Sequence, residues 1–120
     1  AGYLFLTDRE SHMIIAGGVN IYPREAEQLL EAHPGVADVA VIGVPHPDMG
    51  EEVKAVIVPA APPADAVAFA AELVDYCRAR LSPGKCPRSI DFVAELPRSE
   101  AGKLLKRELR RRYWPETSLI

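Results

Sequence analysis

The chain has 120 residues, 48% of them hydrophobic and 26% charged, the balance of one globular domain with a single core. A net charge of −3 argues against a general nucleic-acid binder, and no apolar run approaches the ~20 residues that a membrane helix needs. Cys77 and Cys86 have neither CxxC nor zinc-ligand spacing and are too few for a disulfide scaffold, so they read as reduced structural thiols of a cytoplasmic protein.

Tyr3-Leu4-Phe5-Leu6 reads as a strand and His12-Met13-Ile14-Ile15 as a second, joined by the polar run Thr7 to Ser11. Ala16-Gly17-Gly18-Val19-Asn20 follows as a turn that draws on glycine's backbone freedom. Pro23, at a first helical position before Arg24-Glu25-Ala26-Glu27, predicts a helix. Glu25 and Glu27 suit its N-terminal dipole, Leu29 and Leu30 face the core, and His33-Pro34-Gly35 ends it.

Val36 to Val44 is β-branched and apolar, hence a largely buried strand. Pro45-His46-Pro47-Asp48-Met49-Gly50 predicts a loop without regular structure. Val53 to Val58 gives another strand, and Ala60 to Ala64 a Pro/Ala connector. Asp65 to Leu81 predicts a long helix, with Val67, Ala71, Val74, Cys77 and Leu81 at helical spacing, closed by Ser82-Pro83-Gly84. Ser89 to Val93 alternates as a short strand, and Leu104 to Tyr113 forms a final basic helix. Four or five strands interleaved with three helices predict an α+β fold: a small compact domain whose short mixed sheet is flanked by about three helices.

The candidates for chemistry are few. In Pro97-Arg98-Ser99-Glu100-Ala101-Gly102-Lys103-Leu104 a lysine follows a glycine at the mouth of a basic helix, which puts an ammonium group at the end of a flexible loop. Arg98, Lys103, Lys106, Arg107, Arg110, Arg111 and Arg112 crowd this end, while acids dominate the body. His12, His33 and His46 show no metal-ligand spacing and no triad arrangement, so they read as structural or surface residues. The Gly-Gly-x-Asn turn is not a dinucleotide fingerprint.

The stretch Thr7-Asp8-Arg9-Glu10-Ser11-His12-Met13-Ile14-Ile15-Ala16-Gly17-Gly18-Val19-Asn20-Ile21-Tyr22-Pro23-Arg24-Glu25-Ala26-Glu27 strongly resembles the opening motif of the C-terminal domain of acyl-CoA synthetases and other adenylate-forming enzymes. The resemblance continues through His33 to Pro45, Gly50-Glu51, Tyr76 to Leu81 and Lys85-Cys86-Pro87-Arg88, and closes with the lysine loop, in the family's order and spacing. It implies two half-reactions. ATP activates a carboxylic acid as an acyl-adenylate with release of pyrophosphate. The thiol of coenzyme A then attacks the adenylate and AMP leaves. It also implies a large N-terminal domain that holds acid, nucleotide and Mg2+, and a small C-terminal domain that rotates between the steps, each of its faces completing one of two active sites.

Site residues carry over position by position. Lys103 matches the family's catalytic lysine of adenylation, Gly17 and Gly18 match positions that line its coenzyme A channel, and Arg9 matches an arginine that contacts the nucleotide. Lys85 is a candidate for the coenzyme A phosphates. The hinge falls at Ser11, where the family commonly has aspartate or lysine; a hinge needs backbone freedom rather than a specific charge. The opening at Ala1 reads as a fragment lacking the N-terminal domain, expected on its own to form neither adenylate nor thioester. Two alternatives stand beside the coenzyme A ligase: the lid of a peptide-synthetase adenylation domain or luciferase-like enzyme, and a non-catalytic basic-helix module. The chain ends six residues after Trp114, which favours the ligase. The partners expected are the domain's own N-terminal half, a carboxylic acid, ATP and coenzyme A, without nucleic acid or a transmembrane segment.

Overall fold

The computed structural model describes residues 13–48 and 50–114. The strand expected at Tyr3–Leu6, together with Arg9, Ser11 and His12, lies outside the described residues. In chain order the elements are β1 (Ile14–Ala16), β2 (Val19–Ile21), α1 (Arg24–Glu31), β3 (Val36–His46), β4 (Gly50–Pro59), α2 (Ala66–Arg78), β5 (Ser89–Phe92) and α3 (Lys106–Arg111), with a 3-10 turn at Pro83–Lys85.

The sheet is built on the β3–β4 ribbon, paired antiparallel from Val36↔Pro59 to His46↔Gly50. On the other edge of β4, β1 pairs antiparallel at Ala16↔Gly50 and β5 runs parallel from Lys54↔Ser89 to Ile57↔Phe92. The sheet is therefore mixed, and β2 closes it beyond β1. β3 is buried on both faces. Val39 and Val41 join a core with Ile14, Leu30, Ile57, Leu73 and Cys77 under α1 and α2. Ala40, Ile42 and Val44 join a second core with Val56, Leu96 and Leu109 under α3. This two-sided burial explains the apolar run from Val39 to Val44.

Three expectations need correction. Val19 and Asn20 are not turn residues: Gly17 and Gly18, with φ of 59° and 83°, form a two-residue turn by themselves, so the chain folds straight back as β2. Two consecutive positive φ angles are the type I′ geometry that suits the twist of a hairpin. Nor is the Pro45–Gly50 segment all loop, because Pro45 and His46 pair with Glu51 and Gly50. Pro45 shares parity with Val41 and Gly43, whose backbone groups face the outer edge of β3, so its missing N–H breaks no ladder bond.

The third correction concerns α2. Val67 is 82% exposed and Ala71 is exposed, while Leu73 and Cys77 are buried and Phe69 packs against the core. In an alanine-rich helix several faces look apolar, and the bulk of Phe69, stacked on Phe92 at 5.4 Å, settles which one turns inward. Asp65 starts the helix by accepting the Ala68 N–H at 3.1 Å.

Candidate active site

Lys103 lies in a tight hairpin rather than an open loop. Arg98 and Leu104 form a bridge, the Ser99 N–H donates to the Lys103 carbonyl at 2.9 Å, and the Gly102 N–H donates to the Ser99 carbonyl at 2.8 Å. Gly102 takes a φ of 86°, so this turn needs its glycine. The peptide group entering Lys103 is held at both ends. Arg98 Nη1 donates to the Gly102 carbonyl at 2.8 Å, and the Lys103 N–H donates to Ser99 Oγ at 3.1 Å. The Lys103 side chain itself is exposed.

Arg98 is anchored in turn. Its Nε and Nη2 reach Asp38 Oδ2 at 3.1 and 2.8 Å, and Nη2 reaches Oδ1 at 2.7 Å. Asp38 stands just after the β3–β4 register shift that follows Val36, paired with Val58 and on the same face as Ala40 and Ile42. Its Oδ1 also accepts the Val39 N–H at 2.9 Å.

The Gly17-Gly18 turn is exposed, and a Cβ added at Gly18 would meet nothing within 4 Å. Around it Ile15, Val19 and Tyr22 leave large apolar surfaces in solvent. The Ile15 N–H donates to Glu51 Oε2 at 3.3 Å, tying the hairpin to β4. The remaining carboxylate oxygen, Glu51 Oε1, lies 3.7 Å from Arg110 Nη2.

The two candidate sites stand at opposite ends of the sheet. The lysine hairpin is fastened to Asp38 near the start of β3, whereas β1 joins Gly50, the partner of His46 at its end. At ~3.3 Å per residue the stretch of β3 from Asp38 to His46 is about 26 Å long.

Other sequence candidates have local occupations. Lys85 Nζ pairs with Glu25 at 2.9 Å, both about half exposed. His33 accepts the Gly35 N–H on Nδ1 at 2.9 Å, faces Glu72 through Nε2 at 3.1 Å and meets Tyr76 edge-on at 5.0 Å. His46 Nδ1 accepts the Asp48 N–H at 3.1 Å. These bonds fit the structural roles expected of both histidines. Cys77 and Cys86 are free and buried; burial, then the neighbouring Cys86, pushes the Cys77 thiol up to about 11, and burial raises Cys86 as well. In the basic helix, Lys106 pairs with Glu27 and Arg110 with Glu51, while Arg107, Arg111 and Arg112 are exposed. Among the described residues no cluster of His, Cys, Asp and Glu could hold a metal ion, and no helix is long and apolar enough to cross a membrane.

Comparison with known proteins decides the family. The model of the AMP-binding enzyme C-terminal domain matches residues 25–103, ending on Lys103 itself. The chain belongs to this family. A feruloyl-CoA synthase of an Amycolatopsis species is 48% identical over 113 residues, which cover 93% of this chain and 22% of that protein. The ATP-bound MatB of Rhodopseudomonas palustris superposes with a TM-score of 0.76 at 40% identity, over 85% of this chain and 20% of that one. The o-succinylbenzoate CoA synthetase of Bacillus subtilis, in complex with its acyl-adenylate intermediate, gives 0.74 at 40%, over 86% and 20%. The chain thus spans about a fifth of the length of these relatives.

The motif reading named Lys103, Gly17 and Gly18; it did not single out Arg98 and Ser99 as the residues that hold the lysine hairpin, nor Asp38 as its anchor on β3. Arg98 and Asp38 are sixty residues apart. The one sequence signal was an arginine and a serine inside the same eight-residue motif.

Proposed function

We propose that this chain is the mobile C-terminal domain of an ATP-dependent acyl-CoA synthetase. It acts beside an N-terminal domain that holds the acid, ATP and Mg2+. The observation that carries the proposal is the placement of the lysine hairpin and the diglycine turn at opposite ends of one sheet. Two sites at opposite ends of a β3 stretch about 26 Å long fit successive docking, with one end presented for adenylation and the other for thioester formation.

Adenylation brings a carboxylate up to the α-phosphate, so two anions meet while charge grows on the phosphoryl and leaving oxygens. Lys103 supplies a positive charge there, and in a water-excluded site such a charge lowers the barrier by several kcal/mol. An exposed side chain on a fixed backbone suits this task, because the point from which it reaches is set before docking. Thioester formation needs a narrow path for a pantetheine chain, and the open flank of Gly18 leaves backbone accessible to it. Arg9 on the nucleotide and Ser11 as hinge complete the reading. Lys85 is a further candidate for coenzyme A phosphates, in exchange for its pairing with Glu25. The relatives named as CoA synthetases favour coenzyme A over a carrier protein as the acceptor.

The test is pyrophosphate release by the full-length enzyme across a panel of carboxylic acids with ATP. The Lys103→Ala variant is expected to lose it by roughly 100-fold or more, the scale of removing one electrostatic stabiliser. Thioester formation from supplied acyl-adenylate is expected to stay within about twofold of wild type. Equal loss in both half-reactions would contradict the assignment.

A further inference from the structure

We propose that Arg98, clamped by Asp38, is a positioning residue that sets the direction of Lys103 for adenylation. This rests on the reading of Lys103 as the adenylation lysine, and extends it to two residues that do not touch the reacting atoms.

The geometry is that of a fork used at both ends. Two of the guanidinium nitrogens hold the Asp38 carboxylate, and the third, Nη1, holds the carbonyl of Gly102, the peptide group that leads into Lys103. A planar guanidinium fixes the angle between these two directions, which an ammonium cannot do. Asp38 is itself held by the Val39 N–H and stands on β3, paired with Val58 of β4. The direction of Lys103 is therefore referred to the central sheet through a chain of hydrogen bonds.

Packing holds the base of the hairpin, where Leu104 sits against the second core, but the fork itself borders an open cleft of ≈ 570 Å³ lined by Asp38, Val58, Leu96, Pro97 and Arg112. Asp38 and Arg98 are also partly exposed, and ion pairs of that kind add little to global stability. A bidentate clamp with small worth for the fold, at the base of a turn that carries one exposed lysine, has orientation as its main consequence.

The test uses the full-length enzyme with Arg98→Lys, Asp38→Asn, Lys103→Ala and the double variant Arg98→Lys/Lys103→Ala. Arg98→Lys and Asp38→Asn are each expected to lower kcat for pyrophosphate release by roughly 10- to 100-fold, the scale of a misplacement of about 1 Å. KM for ATP, thioester formation from supplied acyl-adenylate and the melting midpoint are expected to stay near wild type. In the double variant the loss should equal that of Lys103→Ala alone, because a residue acting through the lysine has nothing left to position.

Multiplied losses in the double variant would overturn the proposal, as would equal damage to both half-reactions or a large fall in melting midpoint. Normal pyrophosphate release by Arg98→Lys and Asp38→Asn, with Lys103→Ala still defective, would overturn it while leaving the role of Lys103 intact. An undiminished Lys103→Ala would remove both.

Discussion

Glu27 does more than favour a helix dipole. It stands in the first turn of α1, as its charge suits, but Oε2 also accepts the Val41 N–H at 2.9 Å and meets Lys106 Nζ at 2.5 Å. One carboxylate thus covers the exposed edge of β3 and joins a helix on each side of the sheet, while Trp114 Nε1 covers the same edge at the Gly43 carbonyl at 2.8 Å. Cys77 is the opposite kind of residue, with no work to do as a nucleophile. Its thiol is fully enclosed, and its folded pKa rises from the ordinary 9.0 to about 11. The sign follows from proton counting. The folded state keeps the thiol proton that the unfolded chain loses, so this contribution to stability is complete below pH 9 and is lost as pH rises through 9 towards 11. Unfolding free energy measured from pH 8 to 11 should therefore fall more steeply for wild type than for Cys77→Ala. Parallel curves would mean that the thiol is not held protonated by the fold.

At the scale of elements, α2 offers a direct test of which face is buried. Leu73→Ala is expected to cost about 2–5 kcal/mol, as core truncations do, and Val67→Ala less than about 0.5 kcal/mol. Denaturant titration reads both, and a large cost at Val67 would return the stripe to the face suggested by residue spacing. The contrast shows what was legible beforehand. β3 and β4 declare themselves because burial on both faces leaves stretches rich in valine, isoleucine and alanine, and α1 because proline and acids mark its start. The inward face of α2 is hidden because alanine tolerates either side, and the choice is made by Phe69 meeting Phe92, a contact across the chain. Strand β2 and the strand pairing of Pro45 and His46 escape for another reason: each belongs to a hairpin whose turn is tighter than the glycines and prolines around it suggest, with partners only three to seven residues apart. The candidate site divides in the same way. Lys103, Gly17 and Gly18 stand in local motifs with local causes, whereas the Arg98–Asp38 clamp joins segments sixty residues apart and becomes visible only when β3 is placed.

For the whole molecule, the distance between the two ends of β3 has a consequence for how mutations combine. Gly18 has a φ of 83° and no heavy atom near its missing Cβ, so Gly18→Ala carries backbone strain of about 1–2 kcal/mol without a steric clash inside the domain. Its added methyl would project from the turn into the space proposed for pantetheine. Thioester formation from supplied acyl-adenylate should drop, while pyrophosphate release in a single turnover should be near wild type, the mirror image of Lys103→Ala. Residues at opposite ends of the sheet are expected to act independently, so Gly18→Ala/Lys103→Ala should show in each half-reaction the deficit of the corresponding single variant and no more. Rapid-quench measurement of both half-reactions in the four proteins tests this. If Gly18→Ala also slowed adenylation, the two ends would be coupled through the sheet, and a rigid body presenting its ends in turn would no longer describe the domain. If each deficit stayed in its own half-reaction, the sheet would serve as a spacer between two chemistries, with β3 setting how far the domain must turn from one to the other.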